Sequence, residues 1–125
     1  MEKEEAKILY GNIGRIWCPA LNDVVAFNHA GFRHLLRKRG LLRSPHEQSK
    51  RLALIPYAKK IIEGSDSVAE YRVENSNRVI HTRGKKRIEI AQVKFWSLKA
   101  ESNGQTITVV VRQSSNGTKH FLSVF

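Results

Sequence analysis

Hydrophobic residues recur at helical spacing in the first half of the chain and alternate with polar residues in the second half. Residues 28–42 (NHAGFRHLLRKRGLL) place apolar side chains three or four positions apart, which predicts a helix with one packing face. Asn28 suits the N-cap of this helix, and Gly40 is expected to weaken and end its last turn. Residues 28–42 are therefore predicted to form a single helix.

A second helix is predicted to begin at Ser44, which precedes a proline and is followed three positions later by a glutamate. This spacing is typical of an N-cap with a capping box and of proline in the first helical turn. Pro56 is expected to kink or break the helix, and Gly64 to close it.

Short apolar runs broken by glycines precede these helices, in residues 7–17. They predict a strand or hairpin, and residues 24–27 predict a short strand that leads into the first helix. We expect residues 1–6 to be flexible and residues 7–27 to form a strand or hairpin lead-in.

Alternation of β-branched and polar residues begins at about residue 67 and continues to the last strand. The predicted strands are 68–73, 78–82, 88–98, 106–112 and 119–124, and the predicted turns are 75–77, the basic 83–87, 101–104 and 114–117. The chain is thus predicted as one α+β domain, residues 1–125, with helices in 28–64 and an antiparallel sheet in 67–125. The N-terminal helices should pack on one face of a mainly antiparallel sheet of about four strands.

The charge of the chain is its most unusual property. Twenty-two Lys and Arg against eleven acidic residues give a net charge of +11 and a pI near 10.2. Such a surplus implies a polyanionic partner, and nucleic acid is the first candidate. A membrane partner is not expected, because no apolar run approaches the roughly 20 residues of a membrane span. The start MEKEEAK does not resemble a signal peptide, so we expect a cytoplasmic location.

No metal or cofactor is expected from the sequence. Cys18 is the single cysteine, which excludes an internal disulfide and a cysteine-based zinc site and suggests a buried thiol. The five histidines form no HExxH motif and no paired spacing with carboxylates. The chain also contains no P-loop, no GxGxxG after a strand and no GxSxG.

The remaining chemistry is that of metal-independent RNA cleavage, in which the 2′-hydroxyl of the RNA is the nucleophile. This reaction needs a general base, a general acid and cations near the phosphate. His29 and His34 can transfer protons near neutral pH. On a helix they would lie in rows of i,i+4 neighbours with basic residues suited to phosphate, namely Arg33, Arg37, Lys38 and Arg39. A solvated basic face is the alternative interpretation of the same residues.

His120 on the final predicted strand is a further candidate. Alternation places Thr118, His120, Leu122 and Val124 on one face, and Lys119, Phe121, Ser123 and Phe125 on the other. Because Phe121 and Phe125 are expected in the core, His120 should point away from it, either into solvent or into a cleft. His46 and His81 are expected to be incidental or to contact phosphate.

Four segments give the chain a resemblance to the barnase–EndoU–colicin–RelE ribonuclease superfamily, and within it to the branch associated with phages and bacterial toxins. They are residues 32–40 (FRHLLRKRG), 55–68 (IPYAKKIIEGSDSV), 107–117 (ITVVVRQSSNG) and 119–125 (KHFLSVF). The resemblance is carried by pattern more than by identity.

That resemblance implies metal-independent cleavage of RNA, often tRNA, that leaves a 2′,3′-cyclic phosphate. His34 matches the helix histidine, Arg112 matches a phosphate-binding cation, and Ser123 or Thr118 matches a hydroxyl on the last strand. Arg39 stands where this branch often has a second histidine, and an arginine does not give up its proton. The partner in proton transfer would then be His29, His120 or a lysine, and Lys119 is a further candidate for binding phosphate.

We therefore expect a toxin-like ribonuclease, with RNA and an acidic antitoxin or immunity protein as its partners. Two other functions also fit the composition. One is a non-catalytic RNA- or DNA-binding module with Trp17, Tyr71 or Trp96 as stacking surfaces. The other is a basic interaction domain that docks an acidic protein. The sequence also fits a domain taken from a longer protein.

Overall fold

The computed structural model describes residues 2–125, apart from the side chain of Arg78. This part of the chain contains four α-helices, one short 3-10 helix (Pro19–Leu21) and eight strands. The helices are α1 (Lys3–Gly11), α2 (His29–Leu36), α3 (Pro45–Ala53) and α4 (Ile55–Gly64). The strands are β1 (Arg15–Cys18), β2 (Asp23–Ala26), β3 (Arg37–Lys38), β4 (Leu41–Leu42), β5 (Glu70–Thr82), β6 (Lys85–Ser102), β7 (Gln105–Ser114) and β8 (His120–Val124).

Six of the strands form one sheet in the order β1-β2-β8-β7-β6-β5, and β3 and β4 form a separate small hairpin. All neighbouring pairs in the large sheet are antiparallel except β2 and β8, which run parallel and pair at Ala26 and His120. The α+β class and the mainly antiparallel sheet are confirmed. The prediction of about four strands was wrong, because β1 and β2 extend the sheet next to the last strand of the chain.

The core lies between the helices and one face of this sheet. From the sheet it takes Leu98 of β6, Val109 and Val111 of β7, and Phe121 of β8, all fully buried. Tyr10, Phe27 and Phe32 pack with Phe121 in one aromatic cluster, in which the rings of Phe27 and Phe121 are stacked 4.8 Å apart. Cys18 is buried as predicted, and burial raises the pKa of its thiol.

The N-terminal region is helical, so the predictions of a flexible start and of a strand through residues 7–17 were wrong over Lys3–Gly11. Ala6 and Tyr10, four positions apart, form the buried side of α1, while Glu4 and Glu5 lie in its first turn, where the helix dipole favours acids. The first residue of the range predicted to be flexible, Met1, lies outside the described residues.

The predicted helix over residues 28–42 ends at Leu36, so that prediction was wrong for its last six residues. Arg39 and Gly40 have positive φ values of 53° and 78°, and they form the turn between β3 and β4 instead of a helical turn. Leu42, the last residue of the predicted helix, is 63% exposed.

The N-cap at Ser44 and the helix break predicted for the next segment are confirmed. Ser44 caps α3 by accepting a hydrogen bond from the backbone N–H of Glu47 at 3.2 Å. The helix breaks at Leu54, and Pro56 then occupies the first turn of α4, where its missing N–H costs nothing. Gly64 is the last residue of α4.

In the sheet, the turn predicted at residues 75–77 was wrong because β5 continues unbroken from Glu70 to Thr82. Asn75, Ser76 and Asn77 pair with Gln92, Ala91 and Ile90, so the long β5–β6 ladder overrides the local preference of these residues for a turn. The basic turn predicted at residues 83–87 is shorter in the structure and consists of Arg83 and Gly84, whose φ values are both positive.

The last strand contains a β-bulge that changes which of its side chains reach the core. Val111 pairs with Phe121 and Val110 with Ser123, so Leu122 is an extra residue on β8. Beyond the bulge, Val124 rather than Phe125 enters the core. Phe125, predicted to be buried, is 50% exposed, and the simple alternation expected for residues 118–125 was therefore wrong.

Candidate functional site

Helix α2 is held against β8 by its first turn. Asn28 caps it by accepting a hydrogen bond from the Gly31 N–H at 3.2 Å, and the Asn28 carbonyl accepts a hydrogen bond from the Tyr10 hydroxyl at 2.7 Å. Gly31 faces Phe121, and a side chain on Gly31 would overlap the Phe121 backbone. This close approach fixes α2 beside the edge of β8, which β2 leaves free after Ala26.

A basic hollow lies between α2, the β3–β4 hairpin and β8. Its lining includes both candidate histidines of the helix and three arginines, together with Leu122 at the bulge of β8 (His29, Arg33, His34, Arg37, Arg39). None of the described residues that line the hollow is acidic. The Arg37 guanidinium donates a hydrogen bond to the Gly40 carbonyl at 3.1 Å, which holds it near the turn. The hollow therefore combines two imidazoles with a concentration of positive charge.

The hairpin, not a longer helix, brings these residues together. Arg37 directly follows the last residue of α2, and Arg39 returns toward the helix from the turn at Arg39 and Gly40. Lys38, next to Arg37 on β3, does not line the hollow; it lines a second depression together with Arg43 and Glu47. Of the predicted i,i+4 rows, the one joining His29 and Arg33 lies within α2.

The surroundings of His34 shift the pKa of its imidazole. Its side chain is half-buried, and its Nδ1 atom is buried without a hydrogen-bond partner among the described residues. Burial lowers the pKa of His34, and the nearby positive charges of Arg43 and Arg51 lower it further. A lowered pKa favours the uncharged imidazole, which is the form that can accept a proton.

Three charged residues behind His34 were not predicted from the sequence. Arg43 donates a hydrogen bond from Nε to the His34 carbonyl at 3.3 Å. Arg51, whose side chain is only 13% exposed, donates from Nε to Glu47 at 2.8 Å and from Nη1 to the Ser123 hydroxyl at 2.8 Å. The i,i+4 spacing of Glu47 and Arg51 was the only sequence signal of this network, and such pairs are common on solvated helices.

Ser123 on β8 and the candidates just before this strand, Thr118 and Lys119, lie outside the hollow. Ser123 is 3% exposed, and its hydroxyl accepts the hydrogen bond from Arg51. Thr118 is exposed and precedes the strand. Lys119 forms an ion pair of 2.7 Å with Asp23, which lowers the pKa of that carboxyl group, and its ammonium group lies 5.3 Å from the centre of the Trp96 ring.

His120 occupies a different position from His34. It is half-buried on β8, in register with Ala26 of β2 and Arg112 of β7, and its Nδ1 lies 3.2 Å from the Phe121 carbonyl. Burial lowers the pKa of His120, and the charge of Arg112 contributes to the same shift. His120 and Arg112 thus neighbour each other, but neither lines the hollow that contains His34.

The other candidate features are dispersed. Trp17 and Tyr71, expected as stacking surfaces, are each 53% exposed, and Trp96 is half-buried with its ring 5.5 Å from that of Tyr71. In residues 2–125 no group of three or more His, Cys, Asp or Glu side chains is arranged to hold a metal ion. None of the helices described above has the length and apolar character needed to cross a membrane.

The model of one protein family, large polyvalent protein-associated domain 3, matches residues 1–121. The chain belongs to this family. The match covers all four α-helices, the sheet as far as Phe121 and every residue that lines the hollow except Leu122. The family's description places the domain in association with large polyvalent proteins and gives it no activity. Neither the curated proteins nor the solved structures include a significant match to the chain.

Proposed function

We propose that this large polyvalent protein-associated domain 3 is a metal-independent endoribonuclease that cleaves RNA, with tRNA as one candidate, in the basic hollow. The observation that supports the proposal is the position of His34, a neutral imidazole placed among arginines. Cleavage by the RNA's own 2′-hydroxyl needs a base and cations in one place, and it needs no bound metal.

In the proposed reaction, His34 accepts the proton of the 2′-hydroxyl while the 2′-oxygen attacks the phosphorus. The bond to the 5′-oxygen breaks, and a proton from His29 passes to that oxygen, which leaves as a hydroxyl group. The product has a 2′,3′-cyclic phosphate. Arg33, Arg37 and Arg39 stabilise the charge that grows on the phosphate oxygens, and each proton-transfer group contributes on the order of 10²–10⁴-fold in rate.

The network behind His34 supports its role as a base. Arg43 fixes the backbone of the histidine, and Arg51 lowers the pKa of its side chain from a distance. Both arginines keep the imidazole neutral until it receives the substrate proton. Ser123, which accepts a hydrogen bond from Arg51, is then a positioning residue of the same network and does not itself contact RNA.

A ribonuclease of this kind needs an inhibitor in the cell that makes it. We expect an acidic antitoxin or immunity protein whose carboxylates fill the hollow and pair with its arginines. Such a complex would block both histidines at once and would weaken with added salt.

The test is incubation of the purified protein with total tRNA in the presence of EDTA, followed by analysis of the RNA ends. We expect cyclic-phosphate ends with the wild type and their loss in His34→Ala. His46→Ala is the matched control, because His46 is an exposed histidine on α3 that does not line the hollow. Unchanged cleavage by His34→Ala would refute the site, and intact tRNA with the wild type would refute the activity.

Non-catalytic binding of nucleic acid is the second candidate function. It is favoured by the exposed aromatic rings of Trp17 and Tyr71 and by basic residues outside the hollow. Retention of intact tRNA in a complex that dissociates with added salt would support this function over catalysis.

A further inference from the structure

Strands β5 and β6 continue beyond the rest of the sheet as a two-stranded arm. β7 accompanies β6 only from Val93 to Ser102, whereas β5 and β6 pair with each other as far as Thr82 and Lys85. Residues 76–91, which we call the arm, therefore have no third strand beside them. The seven residue pairs of the arm extend about 23 Å from the sheet, at roughly 3.3 Å per residue.

The arm is exposed on both faces. Every side chain from His81 to Ile90 is exposed to solvent. Val79 and Ile88 are directly opposed on the two strands and are 50% and 67% exposed, so this cross-strand pair can stabilise the hairpin but forms no core. A two-stranded ribbon that protrudes in this way is only marginally stable alone, which suggests that it functions in contact with a partner.

Positive charge is concentrated at the tip of the arm. Arg83, Lys85, Lys86 and Arg87 lie within five consecutive positions and surround a shallow depression together with Thr82. Glu89 is the only acidic residue of the arm, and it lies 3.6 Å from Arg87 in an exposed pair that contributes little. The arm therefore presents an excess of cations to whatever it contacts.

The tip also has an arginine, Arg83, at a turn position where asparagine is the preferred residue. Arg83 and Gly84 have φ values of 51° and 74°, the backbone of a two-residue hairpin turn in which Asn-Gly is preferred. The neighbouring turn of the same sheet uses Asn103 and Gly104 with almost the same angles. Arg83 thus accepts a left-handed backbone conformation that arginine rarely adopts, and it places a guanidinium at the outermost point of the arm.

We infer that the arm binds base-paired RNA through its phosphates, an inference that rests on RNA being the substrate of the proposed ribonuclease. The charge of the tip matches a polyanion. Single-stranded RNA is recognised by stacking on aromatic rings, and residues 76–91 contain no Phe, Tyr or Trp. Helical RNA is bound by shape, through phosphates and 2′-hydroxyls, which suits a narrow ribbon whose tip carries several cations.

The arm and the hollow then have separate tasks. The hollow lies beside α2 and β8, whereas the arm extends from β5 and β6, at the opposite edge of the sheet from β1. The arm would hold a stem of the RNA while the reacting phosphate lies in the hollow. Loss of the arm should therefore weaken binding, and loss of His34 should stop cleavage without weakening binding.

The experiment measures fluorescence anisotropy of a labelled RNA hairpin whose stem is longer than the arm, in the full-length His34→Ala background so that the RNA stays intact. The arm variant combines Arg83→Asn, Lys85→Gln, Lys86→Gln and Arg87→Gln. The matched control removes four exposed cations elsewhere, by Lys3→Gln, Lys7→Gln, Arg15→Gln and Lys50→Gln. Both variants lose the same charge, and circular dichroism confirms that each is folded.

We expect the arm variant to bind the hairpin at least about tenfold more weakly than the control variant. The slope of log affinity against log salt should also flatten, by about 0.7–0.9 for each phosphate that the arm no longer neutralises. Equal affinity of the two variants would overturn the inference. The inference would also be overturned if the protein bound single-stranded RNA or a DNA hairpin as tightly as the RNA hairpin. The same holds if the arm variant changed its oligomeric state and not its RNA binding.

The outcome separates this inference from the proposed activity. If RNA binding depends on the arm but the protein with His34 intact never cleaves the RNA, the inference about the arm holds and the ribonuclease activity is rejected. If cleavage needs His34 but does not depend on the arm cations, and the arm and control variants bind the hairpin with equal affinity, the ribonuclease activity holds and the inference about the arm is rejected.

Discussion

Gly31→Ala tests whether contact with β8, rather than helix propensity, determines the position of α2. A Cβ atom on Gly31 would lie 2.5 Å from the Tyr10 hydroxyl oxygen and 2.9 Å from Cδ1 of Phe121, and it would also overlap the Phe121 carbonyl oxygen. The carbonyl belongs to a strand in the middle of the sheet, so it cannot move aside alone. Either α2 or β8 has to shift.

The expected magnitude follows from two opposing effects. Helix propensity alone predicts that alanine stabilises α2 by about 1 kcal/mol. Overpacking of a close contact costs typically 1–3 kcal/mol, and contact with backbone on one side and a buried tyrosine on the other suggests the upper end of that range. We therefore expect Gly31→Ala to lower the free energy of unfolding by about 2 kcal/mol.

Urea unfolding followed by circular dichroism measures this change. Gly64→Ala is the control, because Gly64 also lies in a helix, at the last position of α4, and no atom lies within 4 Å of a Cβ built there. It should stay within about 0.5 kcal/mol of the wild type. If Gly31→Ala is as stable as the wild type or more stable, the close approach of α2 and β8 described here is wrong.

Three further predictions concern the charged residues around the hollow. Lowering the pH from 7 to 5 should destabilise the protein, because burial lowers the pKa of His34 and of His120, so that at these two residues the unfolded chain binds protons as the pH falls through about 6.5 while the folded chain does not. Urea unfolding across this pH range measures how the free energy of unfolding changes with pH. His34→Asn should reduce this slope, and a flat profile in the wild type would contradict the prediction. Arg51→Met should raise the pKa of His34 in an NMR titration and cost about 1–3 kcal/mol through the unpaired Ser123 hydroxyl; an unchanged pKa would contradict the proposed influence of Arg51. Arg39→Asn should stabilise the β3–β4 turn by up to about 1 kcal/mol in thermal unfolding, since asparagine tolerates the φ of 53° at this position. The same substitution should slow RNA cleavage. A loss of stability would contradict the strained backbone at Arg39.

Features determined by neighbouring residues could be predicted from the sequence. The cap at Ser44, the break before Pro56 and the turn at Asn103 and Gly104 each depend on a few adjacent positions, and all three occur as predicted. Features determined by distant partners could not. The strand through Asn75 exists because β6 pairs with it, and the core position of Val124 depends on the bulge that β7 imposes on β8.

The candidate site was predictable in its residue types and not in its geometry. The basic, histidine-containing character of residues 28–39 indicated the hollow, but the sequence favours a long helix because arginine and lysine are good helix formers. The turn at Arg39 instead folds the chain back over α2. Burial and the positive charges of Arg43 and Arg51 lower the pKa of His34, and neither effect leaves a pattern in the sequence.

The central place of β8 in the sheet has a consequence for how the chain folds during synthesis. β8 lies between β2 and β7 although it is made last, and Phe121 and Val124 complete the core from it. The β1–β2, β5–β6 and β6–β7 hairpins each join neighbouring segments and can form early, whereas the β1–β2 hairpin and α2 cannot join the rest of the sheet until residues 120–124 have left the ribosome. We therefore expect the nascent domain to stay unassembled, with its hollow incomplete, until translation of this segment ends.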